Sequence, residues 1–149
     1  MIGKADVKSS PVHFYVQRKS PFYLDGRGRF SAILPFEITR TNQGNGMDAK
    51  TGVFTAPKAG TYVFNFGAIK RDKAQHVDIY LQLNDVERIG SVYGSEHAGY
   101  FTLSLQSILN LKKNDRIHLV LHSTSGGGIY DDRDMTTHFS GFLLDEQLF

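Results

Sequence analysis

The 149-residue chain contains no cysteine and no tryptophan. Without cysteine it has no disulfide, no zinc–thiolate centre and no thiol nucleophile. That absence suits a reducing compartment, and it equally suits a secreted domain whose core needs no covalent staple. No apolar run approaches the ~20 residues of a membrane span, which argues against membrane insertion. The amino terminus also lacks the apolar segment of a signal peptide. Asn-x-Ser/Thr does not occur, so there is no N-glycosylation acceptor. Charge of one sign is scarce too: 17 Lys and Arg against 15 Asp and Glu leave a formal +2. So small an excess provides no basic field for nucleic acid, and the cluster Lys70, Arg71 and Lys73 reads as a solvated loop. Helical periodicity is nearly missing; the best candidate, Ser107–Lys112, is short.

What is present is alternation. Hydrophobic residues make up 40% and charged residues 21% of the chain, the composition of one ordinary globular domain. Met1 to Ser10 is polar and unpatterned and reads as a leader or expression remnant; the domain is expected over 11–149. Val12, Phe14 and Val16 alternate with polar or exposed positions, which is the period of a half-buried strand. Tyr62, Phe64 and Phe66 repeat the pattern, as do Ile79, Leu81 and Leu83, which run into a turn at Asn84-Asp85. Phe101, Leu103 and Leu105 follow, then Ile117, Leu119 and Leu121, and a last strand over Phe139 to Leu144. The 15 glycines are spread among the breaks, so no second domain is indicated. Many short strands with intervening turns predict an all-β sandwich or barrel, with a core rich in phenylalanine.

One stretch carries a specific resemblance. Phe36 and Asn42 are followed by Thr51-Gly52-Val53-Phe54-Thr55-Ala56-Pro57 and then by Gly60-Thr61-Tyr62-Val63-Phe64-Asn65-Phe66. This spacing resembles the complement C1q globular head domain family, with Met47 where that family usually has an aromatic. Leu111-Lys112-Lys113-Asn114-Asp115-Arg116-Ile117 resembles the family's turn before a late strand, with Asn114 in place of a common glycine. Thr137-His138-Phe139-Ser140-Gly141-Phe142-Leu143-Leu144 resembles its closing strand. The resemblance implies a two-sheet jelly-roll sandwich of the C1q/TNF type that associates as a homotrimer. It also implies a secreted, extracellular, non-enzymatic protein. The relatives suggest three roles: pattern recognition of glycans or other microbial and self surface ligands, signalling through a receptor protein in the manner of adiponectin or cerebellin, or structural trimerisation.

Individual residues also have physical expectations. Thr51-Gly52 reads as a turn in which Gly52 takes positive φ. Gly60 marks a point where a Cβ would clash, and Asn114 tolerates the left-handed conformation. The loop Tyr130-Asp131-Asp132-Arg133-Asp134 precedes the closing strand. Some relatives hold calcium in this loop, and Asp132 and Asp134 fall at matching positions. Hard oxygen donors suit that ion, although a solvated acidic turn neutralised by Arg133 describes the same residues. Tyr130, Asp132, Arg133 and Asp134 are therefore the candidate ligand-binding residues, and Asp132 and Asp134 the candidate calcium ligands. Tyr93, Tyr100 and Tyr130 combine a ring face with a polar tip, which suits a sugar or a protein partner. Gly126-Gly127-Gly128 lacks the context of a phosphate loop and reads as a mobile loop tip. Asp25-Gly26-Arg27-Gly28-Arg29 reads as a turn with exposed arginines. On a strand, His118 and His122 stand about 13 Å apart, too far to share an ion, and the histidines read as surface or rim residues. Ser91, Ser95 and His97 lie close in sequence, but no catalytic triad is indicated.

Overall fold

The computed structural model describes residues 10–24, 30–70, 76–94, 100–123 and 126–148. The run Asp25–Arg29, the basic residues Arg71 and Lys73, and Ser95 and His97 lie outside the described residues. Within them the alternating segments form strands as expected. They are β1 (His13–Arg18), β7 (Gly60–Lys70), β8 (Val77–Leu83), β10 (Phe101–Leu111), β11 (Arg116–His122) and β13 (Thr137–Glu146). Shorter strands complete the set: β2 (Phe22–Tyr23), β3 (Ser31–Ile33), β4 (Ile38–Gln43), β5 (Met47–Asp48), β6 (Val53–Thr55), β9 (Glu87–Gly94) and β12 (Gly128–Tyr130). The short helical candidate is strand: Ser107–Leu111 lies in β10, paired with Gly60–Phe64 of β7.

All pairings are antiparallel and form two sheets. In the larger, β7 is the spine. One of its edges pairs along its whole length with β10, from Gly60↔Leu111 to Lys70↔Phe101. Its other edge is shared by β13 (Gly60–Gly67) and β12 (Ile69–Lys70). The sheet continues from β13 through β1 to β4, and from β12 to β2. The smaller sheet runs β5-β6-β11-β8-β9, with β3 on the same edge of β11 as β6. Two antiparallel sheets packed face to face give the all-β jelly-roll sandwich that the sequence predicts.

Period-two alternation puts one set of side chains between the sheets. Val12, Phe14, Val16, Tyr62, Phe64, Phe66, Ile79, Leu81, Leu103, Ile117, Leu119, Leu121 and Phe139 are all buried there. Phe101 departs from the pattern: it stands at the end of β10 and is 40% exposed. The centre of the seam is aromatic. Phe54 from the small sheet stacks on Phe14 at 4.9 Å and meets Tyr62 and Phe64 edge-on at 5.6 and 5.8 Å. Phe139 meets Phe14 edge-on at 5.0 Å. Such geometry adds about 0.5–1.5 kcal/mol per pair beyond burial. Met47, standing where an aromatic is usual, is buried in the same core.

The turns follow their residue types. Gly52 has φ +78°, and a Cβ there would lie 2.1 Å from the Leu34 carbonyl oxygen. A Cβ on Gly60 would meet the Asp145 carbonyl oxygen at 2.4 Å, so β7 and β13 approach as they do only because the position is bare. Asn84 and Asp85 are both left-handed in the β8–β9 turn, where Val86 N donates to Leu83 O at 3.1 Å, and Asn114 has φ +76°. The Asn42 amide closes the β4–β5 connection by donating to Met47 O at 2.8 Å and accepting from Met47 N at 3.1 Å. At the end away from β12, the first and last described segments meet. Leu143 N donates to Val12 O at 2.9 Å, Lys58 Nζ donates to Ser10 O at 3.0 Å, and Lys58 lies 3.5 Å from Glu146.

One histidine is placed differently from its expected surface position. His118 is 1% exposed, on the outward face of β11, with Nε2 2.8 Å from Gln82 Oε1. Burial lowers its pKa below the ordinary 6.5; Asp85 opposes that shift and Arg116 adds to it. Cross-strand neighbours cover it, a fact that alternation alone does not reveal.

Phe54→Ala should cost about 3–5 kcal/mol of unfolding free energy in urea, because it removes the ring that bridges both sheets. The folded state holds the His118 proton less tightly than the unfolded chain, so stability at and above pH 6.5 is unaffected and falls as pH drops below it. The His118 ring resonances should show the neutral imidazole persisting below pH 6.5, while a His118→Gln variant loses part of the acid-induced fall in melting temperature.

Candidate functional site

One end of the sandwich gathers the predicted ligand-binding residues. β12 pairs with the last two residues of β7, and Tyr100 immediately precedes Phe101, which pairs with Lys70 on β7's other edge. Tyr130 and Tyr100 are thereby brought together, their rings 4.9 Å apart and 61° inclined. Tyr100 is 57% exposed. The Tyr130 hydroxyl is pushed above its ordinary pKa, first by desolvation and then by Asp132, Tyr100, Asp134 and Tyr23. The phenol therefore stands in the field of both loop carboxylates. Tyr93, 61% exposed, stacks on His76 at 5.3 Å rather than on this pair.

The loop from 131 to 136 owes its shape to Asp131. This carboxylate is buried and accepts hydrogen bonds from Met135 N at 3.1 Å, Thr137 N at 3.0 Å and Thr136 Oγ1 at 3.3 Å. Arg133 and Met135 are both left-handed, and Arg133 N donates to Lys19 O at 2.9 Å. Asp132, Arg133 and Asp134 are left exposed at the tip. Asp131 is the loop-shaping residue that sequence reasoning passed over. Its local signature, an aspartate just before the backbone donors it caps, is shared with many loops.

Beneath the loop, the buried Arg18 guanidinium donates to Pro35 O at 2.8 Å, to Ser20 O and Oγ, and to Pro21 O. Burial lowers its pKa, opposed by Glu37 and Asp131. Glu37 Oε1 accepts from Lys19 N, Ser20 N and Ser20 Oγ. Desolvation pushes the Glu37 carboxyl up, but these donors and Arg18 outweigh it, and the net shift is downward. A frame of satisfied charges thus carries the exposed tip.

Asp132 and Asp134 offer hard oxygen of the kind calcium takes. Both carboxylates are exposed, and their neighbour Asp131 is committed to the loop backbone. Among the described residues, the one group of three His, Cys, Asp or Glu side chains within reach of a shared ion lies elsewhere, at His76, Asp78 and His122. The glycine triplet is not a loop tip throughout. Gly127 and Gly128 are buried, Gly128 belongs to β12, and Gly127 N donates to Ser123 Oγ at 3.0 Å. Lys70 likewise is no solvated loop residue: it ends β7, is 1% exposed, and lies 5.7 Å from the Phe101 ring centre. The glycines are covered because β12 adds to the β7 edge, whereas Lys70 continues the inward-facing set of Tyr62, Phe64, Phe66 and Ala68 and packs beside Gly94 of β9. None of the helices needed for a membrane crossing occurs among the described residues.

Comparison with known proteins agrees with this arrangement. The C1q domain family model matches residues 13–144. Human complement C1q tumor necrosis factor-related protein 3 is 35% identical over 112 residues, covering 74% of this chain and 44% of that protein. Caprin-2 of Danio rerio is 34% identical over 119 residues, covering 78% of this chain and 12% of that protein. The chain thus spans less than half the length of these curated relatives. Among solved structures, the globular domain of zebrafish complement 1qA superimposes with a TM-score of 0.74 at 19% identity, covering 91% of this chain and 99% of that one. Murine APRIL superimposes with a TM-score of 0.68 at 10% identity, covering 90% and 99%. The family match spans the aromatic seam, the Asn42 and Gly52 turns and most of the closing β13 strand, and the chain belongs to the C1q domain family.

Proposed function

We propose that this chain is the ligand-binding head of a secreted, homotrimeric recognition protein that takes glycans or other microbial and self surface ligands. The observation that carries this reading is the grouping of Tyr100, Tyr130, Asp132, Arg133 and Asp134 at one end of the sandwich. Ring faces stack on the apolar side of a sugar, while carboxylates and a guanidinium take its hydroxyls or an anionic substituent. Calcium held by Asp132 and Asp134 would add a hard cation for such hydroxyls to ligate. Nothing in the grouping calls for catalysis. A single shallow site of this kind binds weakly, and a trimer compensates through effective concentration.

The surface for assembly is the outward face of the large sheet. Phe142↔Val63↔Ile108 forms one apolar row across β13, β7 and β10, and the mainly polar Tyr15↔Ser140↔Asn65↔Gln106 forms the row beside it. Ile108 is 63% and Phe142 43% exposed, a cost in apolar surface that packing against neighbouring copies removes. A second reading, a protein signalling ligand, is favoured by the similarity to complement C1q tumor necrosis factor-related protein 3.

Light scattering should give the mass of three chains for the native protein and of one for the double variant Ile108→Asp, Phe142→Asp. Because both side chains are exposed, the variant's far-ultraviolet dichroism should be unchanged; a variant that stays trimeric refutes this surface. On a glycan array the trimer should bind selected sugars. Asp131→Ala should abolish that signal at a stability cost of about 1–3 kcal/mol, since it unties the loop without removing an exposed contact. A trimer with no signal above background overturns the glycan reading, and capture of one receptor unaffected by competing sugars supports the second.

A further inference from the structure

On the outward face of the small sheet, among residues given no role above, three metal-ligating side chains converge. His76 and Asp78 stand two residues apart on the approach to β8 and in it, and so share a face. His122 is the direct cross-strand partner of Asp78. One ligand atom from each of the three lies within 4.8 Å of the others. His122 Nδ1 is 3.6 Å from Asp78 Oδ2, close to the roughly 3.3 Å edge of a tetrahedron with bonds of about 2.05 Å to a metal. That nitrogen is itself shielded from solvent and has no hydrogen-bond partner. A buried imidazole nitrogen facing a carboxylate just beyond hydrogen-bond distance is the arrangement an ion between them would complete.

We propose that His76, Asp78 and His122 form a binding site for a borderline divalent cation of the Zn²⁺ class. Two imidazole nitrogens and one carboxylate oxygen match the donor preference of zinc and are a poor match for calcium, which takes oxygen. The fourth position is open to water or an external ligand, since the His122 and Asp78 side chains are 32% and 21% exposed. The surroundings hold the ligands in place. The His76 ring stacks on Tyr93, which is itself the cross-strand partner of Asp78. The His76 carbonyl accepts from Ser123 Oγ at 2.7 Å, so the backbone of one ligand is tied to the residue that follows another, His122. Bound metal cross-links β8 to the end of β11 and stiffens the same end of the sandwich that carries Tyr130. The site is distinct from the Asp132 and Asp134 calcium site considered above, and it differs from that site in ligand chemistry.

The test is calorimetric titration of the chelator-stripped 149-residue protein with ZnCl₂. One Zn²⁺ per chain is expected, with an isotherm that excess CaCl₂ leaves unchanged and a melting temperature raised by zinc. His76→Gln, Asp78→Asn and His122→Gln should each weaken zinc binding by at least the roughly 10–100-fold loss usual for an outer-shell supporting residue. His138→Gln, on the other sheet, should bind zinc as the native chain does. In the native protein, zinc should shift the imidazole resonances of His76 and His122 and leave those of His118 in place, a reading that needs no variant to fold. No zinc uptake, unshifted His76 and His122 rings, unchanged affinity in both histidine variants, or displacement by calcium would each overturn the site.

Discussion

The fold depends on one contact, the Phe54 ring lying between Phe14 of the large sheet and the Tyr62–Phe64 pair of β7. Two antiparallel sheets have no reason to adopt a particular offset until something interlocks between them. Here rings from four strands, β1, β6, β7 and β13, interdigitate in stacked and edge-on pairs. Backbone spacing is then set to accommodate them, which is why glycine stands at Gly141, where a Cβ would lie 2.6 Å from the Phe14 ring and 2.7 Å from that of Phe64. With no disulfide in the chain, this aromatic seam is the main constraint fixing one sheet against the other.

The seam was legible in the sequence because alternation is a local property. Each of the longer strands declares its buried face within five or six residues, and Gly52, Asn84-Asp85 and Asn114 declare their turns by residue type. What the sequence does not carry is register. Whether His122 faces Asp78, or His118 is covered by Gln82, depends on which residues lie opposite across β8 and β11. Reading His118 and His122 as a pair along one strand gave a separation too great for an ion; the partner that matters is across the sheet. The glycines at 127 and 128 failed for the same reason, since a two-strand addition at the edge of β7 buries what looks locally like a loose loop.

The candidate loop shows the same division. Tyr130, Asp132, Arg133 and Asp134 could be picked out by type, because exposed aromatic and charged groups in a loop have few structural duties. Asp131 could not be separated from its acidic neighbours, yet it is the one turned inward to hold Met135, Thr136 and Thr137. Adjacent, chemically identical side chains divide into anchor and display only when backbone dihedrals are fixed. Arg133 and Met135, both at positive φ, fix them here.

The meeting of Val12 with Leu143, and of Ser10 and Glu146 with Lys58, has a practical consequence. β1 leaves this region toward Arg18 and β13 returns to it from Thr137, so both extremities of the domain emerge at the pole opposite Tyr130. A tether attached at either extremity, whether a fused polypeptide or a sensor surface, leaves the tyrosine-bearing pole pointing away from the attachment. The domain can thus be immobilised by its ends without occluding the proposed ligand-binding residues.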